Sequence, residues 1–157
     1  MLGKPGEPSN TDLKFGAQDI KDLTIKNALD AYSCTECGRC TEQCPANQTG
    51  KLLSPRKIMM DTRDRLEELQ KDSTSTNTLL GNYISAEELR ACTTCQACVE
   101  ACPIQLSPLD IILELRRYQI MEQSDAPGAW NTMFATIETN QAPWKFDAND
   151  RLNWAKS

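Results

Sequence analysis

One cysteine pattern is written twice in this chain. Cys34-Thr35-Glu36-Cys37-Gly38-Arg39-Cys40-Thr41-Glu42-Gln43-Cys44-Pro45 returns as Cys92-Thr93-Thr94-Cys95-Gln96-Ala97-Cys98-Val99-Glu100-Ala101-Cys102-Pro103. Each copy reads Cys-x2-Cys-x2-Cys-x3-Cys-Pro, and the two copies hold all eight cysteines of the 157 residues. Three thiols spaced two residues apart can curl around one face of a small body. A fourth must reach the far side from elsewhere in the chain.

That spacing is the ligand run of a [4Fe–4S] cubane, and in proteins with two such clusters the cysteine before proline ligates the other cluster. Applied here, Cys34, Cys37, Cys40 and Cys102 hold one cluster, and Cys92, Cys95, Cys98 and Cys44 hold the second. The crossing staples the two segments together and makes the metal sites part of the core. Pro45 and Pro103 turn the chain away without presenting an N–H donor. Gly38 is expected to let backbone approach inorganic sulfide where a Cβ would crowd it. The second copy has Gln96 there, followed by Ala97, so the two sites and their potentials are expected to differ. Two other chemistries use many cysteines. Structural zinc takes two Cys-x2-Cys pairs or adds histidine, and this chain has no histidine. A disulfide scaffold belongs to secreted chains, and no signal peptide is visible.

Composition fits a small domain that leans on its metal. Hydrophobic residues are 39% and aromatics 6%, thin for a core, so ligation is expected to supply part of the folding free energy. With 17 basic and 22 acidic residues, net charge −5, and no basic run, nucleic-acid binding is excluded. No apolar stretch approaches the roughly 20 residues that span a bilayer. Thiolates and assembled clusters point to a soluble protein of the cytoplasm, or of the cytoplasmic face of a membrane through a partner.

Along the chain, residues 1–18 are rich in Gly, Pro, Ser, Asn and Lys and read as a flexible arm. Thr24 caps a helix whose Ile25, Ala28, Leu29 and Tyr32 form an apolar stripe, expected to pack in the core. Ser54-Pro55 opens a longer helix to about Lys71, with Ile58, Met59, Leu66 and Leu69 inward. Asp61 with Arg65, and Arg63 with Glu67, are spaced for i,i+4 pairs on a solvated face. Residues 72–78 form a polar loop. Ser85 and Glu88 form a capping box, with Ile84 and Leu89 placed for a hydrophobic staple. Ser107-Pro108 repeats the earlier helix start, and that helix runs to about Met121, apolar over a wide arc. Capped short helix, cysteine motif, Ser-Pro and longer helix therefore occur twice, the motifs offset by 58 residues. This predicts an all-α, alpha-helical ferredoxin with a pseudo-twofold internal repeat over residues 19–121, binding two [4Fe–4S] clusters. Residues 122–157 form an extension. Pro127-Gly128 opens a helix with Trp130, Met133, Phe134 and Ile137 on one stripe, read as core packing over a partner face. Residues 140–144 break it, and Asp147 caps a last turn ending near Trp154.

These residues also carry a resemblance. Ser33 through Cys40, Cys44-Pro45-Ala46 and Ser54-Pro55-Arg56 resemble the iron–sulfur segment of heterodisulfide-reductase-related proteins. That group includes the C subunit of anaerobic glycerol-3-phosphate dehydrogenase and lactate-oxidation iron–sulfur subunits. The helical dicluster pattern is similar to that of the succinate dehydrogenase iron–sulfur subunit. Gln141-Ala142-Pro143-Trp144, with Arg151 and Trp154 after it, resembles a Gly-Asn-Pro-Trp segment, with Gln141 and Ala142 in place of Gly and Asn. The resemblance implies the electron-transfer part of a larger oxidoreductase. Its flavin, disulfide or quinone-linked site would lie on an adjoining domain or partner. The resemblance also allows peripheral association with a membrane subunit. Larger relatives carry paired cysteines, which this chain lacks. No catalytic site of its own is expected: it has no histidine for acid–base work, no spare cysteine, no dinucleotide fingerprint and no P-loop. The alternatives are a free-standing ferredoxin-type carrier and a structural zinc-binding interaction module. Arg39 reads as a surface arginine or a charge shield for a cluster.

Overall fold

The computed structural model describes residues 14–145 and 147–155, and among them the regular elements are helical. The short helices α1 (Ile25–Ser33) and α5 (Ala86–Ala91) are each set by a cap. Thr24 Oγ1 accepts the Asn27 N–H at 3.3 Å. Ser85 Oγ accepts the Glu88 N–H at 3.2 Å, and Glu88 Oε2 accepts the Ser85 N–H at 2.8 Å, closing the expected capping box. The longer helices α4 (Pro55–Lys71) and α7 (Pro108–Met121) both start on Ser-Pro, each serine oxygen accepting an N–H three residues on. Between these pairs lie one-turn helices: α2 (Arg39–Glu42), α3 (Pro45–Gln48) and α6 (Ala97–Glu100).

Packing repeats the internal symmetry. Helix α1 lies on α4 as α5 lies on α7, and α2 lies on α4 as α6 lies on α7. Across the pseudo-axis α2 meets α6 and α4 meets α7. The core between them holds Leu53, Ile58, Met59, Leu89, Ile111, Ile112 and Leu115, each at most 1% exposed. Each such side chain contributes about 1.5–3 kcal/mol by leaving water. Cys44 is in the same cluster, and Cys34, Cys92 and Cys102 pack against it, so the motifs sit on the core.

Several sequence expectations need correction. The α1 stripe faces outward: Ile25 is 80% exposed, Leu29 61% and Tyr32 49%. The helix buries Asn27 and Ala31 instead. A small residue lets α1 come close to α4, whereas a periodicity count sees only the larger side chains. On α4 the inner face continues from Ile58 and Met59 through Thr62 and Arg65, with Leu66 and Leu69 half-buried. Arg65 does not pair with Asp61. It is 1% exposed and forks onto Asp19, Nε to Oδ1 at 3.0 Å and Nη2 to Oδ2 at 2.9 Å, while Nη1 donates to Glu68 at 2.8 Å. Asp61 takes Lys57 at 2.6 Å, and Arg63 pairs with Glu36 rather than Glu67. The flexible arm read over 1–18 ends earlier. The Ala17 N–H donates to Glu114 O at 3.0 Å, the Leu80 N–H to Gln18 O at 3.0 Å, and the Tyr118 hydroxyl to Gln18 at 2.9 Å. Residues 1–13 lie outside the described residues.

The chain divides into two compact units at Gln123 and Ser124. In the second, α8 (Gly128–Asn140) starts after Pro127 and ends at Gln141, whose φ of 53° stops it. A 3-10 helix, Ala148–Ala155, follows Asp147. The stripe read as core is open to solvent: Trp130 40%, Phe134 37%, Ile137 43%. Trp144 and Trp154 are more exposed still. Among the described residues no helix is long and apolar enough to cross a membrane.

Candidate functional site

Each cysteine motif begins where a short helix stops. Cys34 is the C-terminal cap of α1, and Cys92 that of α5. Two left-handed residues then bend each loop: Glu36 (φ 58°) and Gly38 (φ 84°) in the first, Thr94 (φ 57°) and Gln96 (φ 64°) in the second. Left-handed residues are an ingredient of the backbone nests that turn N–H groups toward an anionic body such as an iron–sulfur centre. Non-glycine residues in this region are strained, β-branched Thr94 most of all. Gly38 also meets a demand of the backbone itself. Among protein atoms a Cβ there would meet only Arg56 Nη1, at 3.9 Å, and its repeat partner Gln96 adopts the same left-handed conformation with a full side chain. Left-handed backbone is what the position demands of the protein.

Cys40 rides on α2 and Cys98 on α6, and these two turns pack together. That contact decides which thiols gather. One cavity, about 420 Å³ of open space, is lined by Cys34, Cys37 and Cys40 from the first motif and by Cys98, Cys102 and Pro103 from the second. The Cys98 thiol is pushed up to about 11, by burial first and then by the thiols of Cys92, Cys40 and Cys44. Burial also raises the Cys40 thiol, helped by Cys34 and Cys37. Cys98 and Cys102 thus line the cavity of the first motif, and Cys40 and Cys44 of the first motif both bear on the Cys98 thiol of the second. All eight cysteines are free thiols, Cys44 and Cys98 buried, Cys37 and Cys95 exposed. Among the described residues no three cysteine or carboxylate side chains gather about one point to hold a single metal ion. Five of the thiols line that one cavity.

The protein supplies more than thiols. The Thr94 N–H donates to Cys92 Sγ and the Leu106 N–H to Cys102 Sγ, both at 3.4 Å. Arg116 on α7 donates to Leu89 O at 2.9 Å, and also to Cys92 O, holding the end of α5 where the second motif starts. Arg63 on α4, paired with Glu36, grips the first motif. Both arginines lie nine residues after their Ser-Pro serine, so aligning the two repeats would have found them. The same alignment pairs Arg56, a cavity residue that motif reading missed, with Leu109.

Soft thiols from both motifs gathered around one cavity, with N–H groups bonded to two of the sulfurs, fit a cubane. The 4Fe-4S dicluster domain family matches residues 33–106. This segment is a 4Fe-4S dicluster domain. The dicluster domain has two motifs for two [4Fe–4S] clusters, which sets zinc aside. The chain is 31% identical to the probable iron-sulfur-binding oxidoreductase FadF of Bacillus subtilis, over 92% of this chain and 26% of that protein. It is 32% identical to the EtfAB:quinone oxidoreductase of Syntrophomonas wolfei, over 89% of this chain and 23% of that one. It is 35% identical to the C subunit of the ferredoxin/F(420)H(2)-dependent CoB-CoM heterodisulfide reductase of Methanosarcina acetivorans, over 68% of this chain and 56% of that protein. The dicluster domain is thus an iron–sulfur segment of the heterodisulfide-reductase type, an electron-transfer module. The chain spans about a quarter of the length of the first two of these relatives.

Proposed function

We propose that the dicluster domain relays single electrons inside a larger oxidoreductase, with its two clusters held by crossed ligands. Cys34, Cys37, Cys40 and Cys102 hold one, and Cys92, Cys95, Cys98 and Cys44 the other. One observation carries this: Cys102 and Pro103 of the second motif line the cavity walled by Cys34, Cys37 and Cys40. The closeness of Cys44 to Cys98 supports the reciprocal half. A bound cubane supplies one-electron chemistry, and the chain supplies its setting. Its thiolates bind iron. The N–H groups of Thr94 and Leu106 bear on ligand sulfurs and favour the more negative, reduced state. Buried Cys44 and Cys98 keep water from the space between the sites. The donor or acceptor is a flavin, disulfide or quinone-linked centre on an adjoining domain or partner, a peripheral membrane subunit among them. Relatives named as quinone and heterodisulfide oxidoreductases support that range.

The test is Cys102→Ala, purified without air. Site-resolved EPR should show damage to the cluster bound by Cys34, Cys37 and Cys40, with the other intact. Loss of the cluster bound by Cys92, Cys95 and Cys98 would refute crossed ligation. Size-exclusion chromatography with redox partners then separates a complex component, which co-elutes, from a diffusible carrier, which does not.

A further inference from the structure

The internal repeat marks an asymmetry between the two sites. Arg39 and Arg56 line the first cavity beside Cys37. Both arginines are exposed, and so is Cys37. Arg56 Nη1 lies 3.9 Å from where a Cβ on Gly38 would stand, so this guanidinium lies over the motif loop. Neither guanidinium forms a hydrogen bond or ion pair among the described residues. In the second half the equivalent positions are Ala97 and Leu109, and the residues flanking Cys95 along the chain, Thr93, Thr94 and Gln96, are exposed and uncharged; the one exposed charged residue of that motif is Glu100. Among the described residues, then, two cations without a carboxylate partner rim one site, whose acidic lining residue Glu36 is paired to Arg63, in a chain whose net charge is −5.

We propose that this rim is a docking port for an anionic redox protein, one whose own centre is ringed by carboxylates that Arg39 and Arg56 receive. The proposal rests on the reading that Cys34, Cys37, Cys40 and Cys102 hold a cluster. Guanidinium forks match carboxylates in two-point hydrogen bonds. Rim charges mostly set the rate and orientation of encounter rather than affinity. The acidic remainder of the chain repels the same partner, so the encounter is steered to one edge. The second motif carries no arginine or lysine of its own to offer such attraction.

Inorganic oxidants of opposite charge serve as the probe: [Co(EDTA)]− and [Co(NH3)6]3+. The reduced holoprotein is mixed with each in an anaerobic stopped-flow. Each event moves one electron and no proton, the holoprotein losing the electron and cobalt(III) becoming cobalt(II). Arg39→Gln/Arg56→Gln should lower the anion-to-cation rate ratio by roughly three- to tenfold at low salt, where charges are felt over about 30 Å. Arg39→Lys/Arg56→Lys should keep the wild-type ratio. Arg117→Gln, which removes a charge paired to Glu114 at a residue that does not line this cavity, should leave the ratio nearly unchanged. An unchanged ratio in the double Gln variant overturns the port, as does an equal effect of Arg117→Gln. So does a variant that shifts only the midpoint potential, since the arginines would then serve the cluster alone. Wild-type protein without iron and sulfide sinks the ligation reading itself, a result distinguishable from all of these.

Discussion

At the residue scale, four left-handed positions shape the two motifs, and only one of them is glycine. Glu36, Thr94 and Gln96 hold their φ against a cost of roughly 1–2 kcal/mol each. Gly38→Ala should therefore lower stability by about 1 kcal/mol, with no steric clash to add. Gln96→Gly should be neutral or stabilising by up to about 1 kcal/mol, since relief of strain offsets the added freedom of the unfolded chain. Denaturant midpoints of the loaded protein measure both. Equal losses for the two variants would mean that side-chain contacts, not backbone conformation, govern these positions. Gly38 was visible in the sequence but its partner positions were not, because glutamate, threonine and glutamine give no signal of positive φ.

At the element scale, Arg65 shows how a charge on a helix can be an internal pin. Its fork onto Asp19 ties α4 to the segment before α1, and its Nη1, shared between Glu68 and Ser75, ties the helix to the loop that follows. Asp19 also accepts the Leu79 N–H at 3.0 Å, and Glu68 accepts from Tyr83, Ser75 and Asn77, each at 2.7 Å. Arg65→Met should cost about 3 kcal/mol, because it leaves a carboxylate without its counter-charge. Asp19→Leu/Arg65→Met should recover much of that loss in urea titrations. Glu68 is held down to about 2 by the Tyr83 hydroxyl first and then by Ser75, with Arg65 and Asn77 adding to it. Its folded value is depressed from the ordinary 4.5, so its stabilisation is full above about 4.5 and is lost as pH falls toward about 2. Urea midpoints should drop between about pH 5 and about pH 3, and Glu68→Gln should flatten that drop. An unchanged slope would assign the acid sensitivity elsewhere. An i,i+4 count placed Arg65 on a solvated face because its forked partner Asp19 lies 46 residues away along the chain.

At the scale of the whole molecule, the metal centres and the hydrophobic core are one structure. Cys44 belongs to the core cluster, with Cys34, Cys92 and Cys102 packed on it. Stripping the iron should therefore loosen residues 25–121 together, lowering both helical circular dichroism and the melting temperature. Melting unchanged by a chelator would mean that the helices stand without their clusters. Outward faces tell a second story. The apolar stripe of α1 and the tryptophans of the second unit are open to water, surfaces of the kind that partners cover.

What the sequence determined by itself was the ligand chemistry and its duplication. Eight thiols at fixed short spacing leave few inorganic partners, and the caps at Thr24, Ser54, Ser85 and Ser107 are local signals that need no fold to be read. The outward turn of the α1 stripe, the burial of Arg65 and the rim of Arg39 and Arg56 were decided only by tertiary structure. Each depends on which segments, dozens of residues apart, come to lie against one another, and that is settled by packing rather than by any local rule.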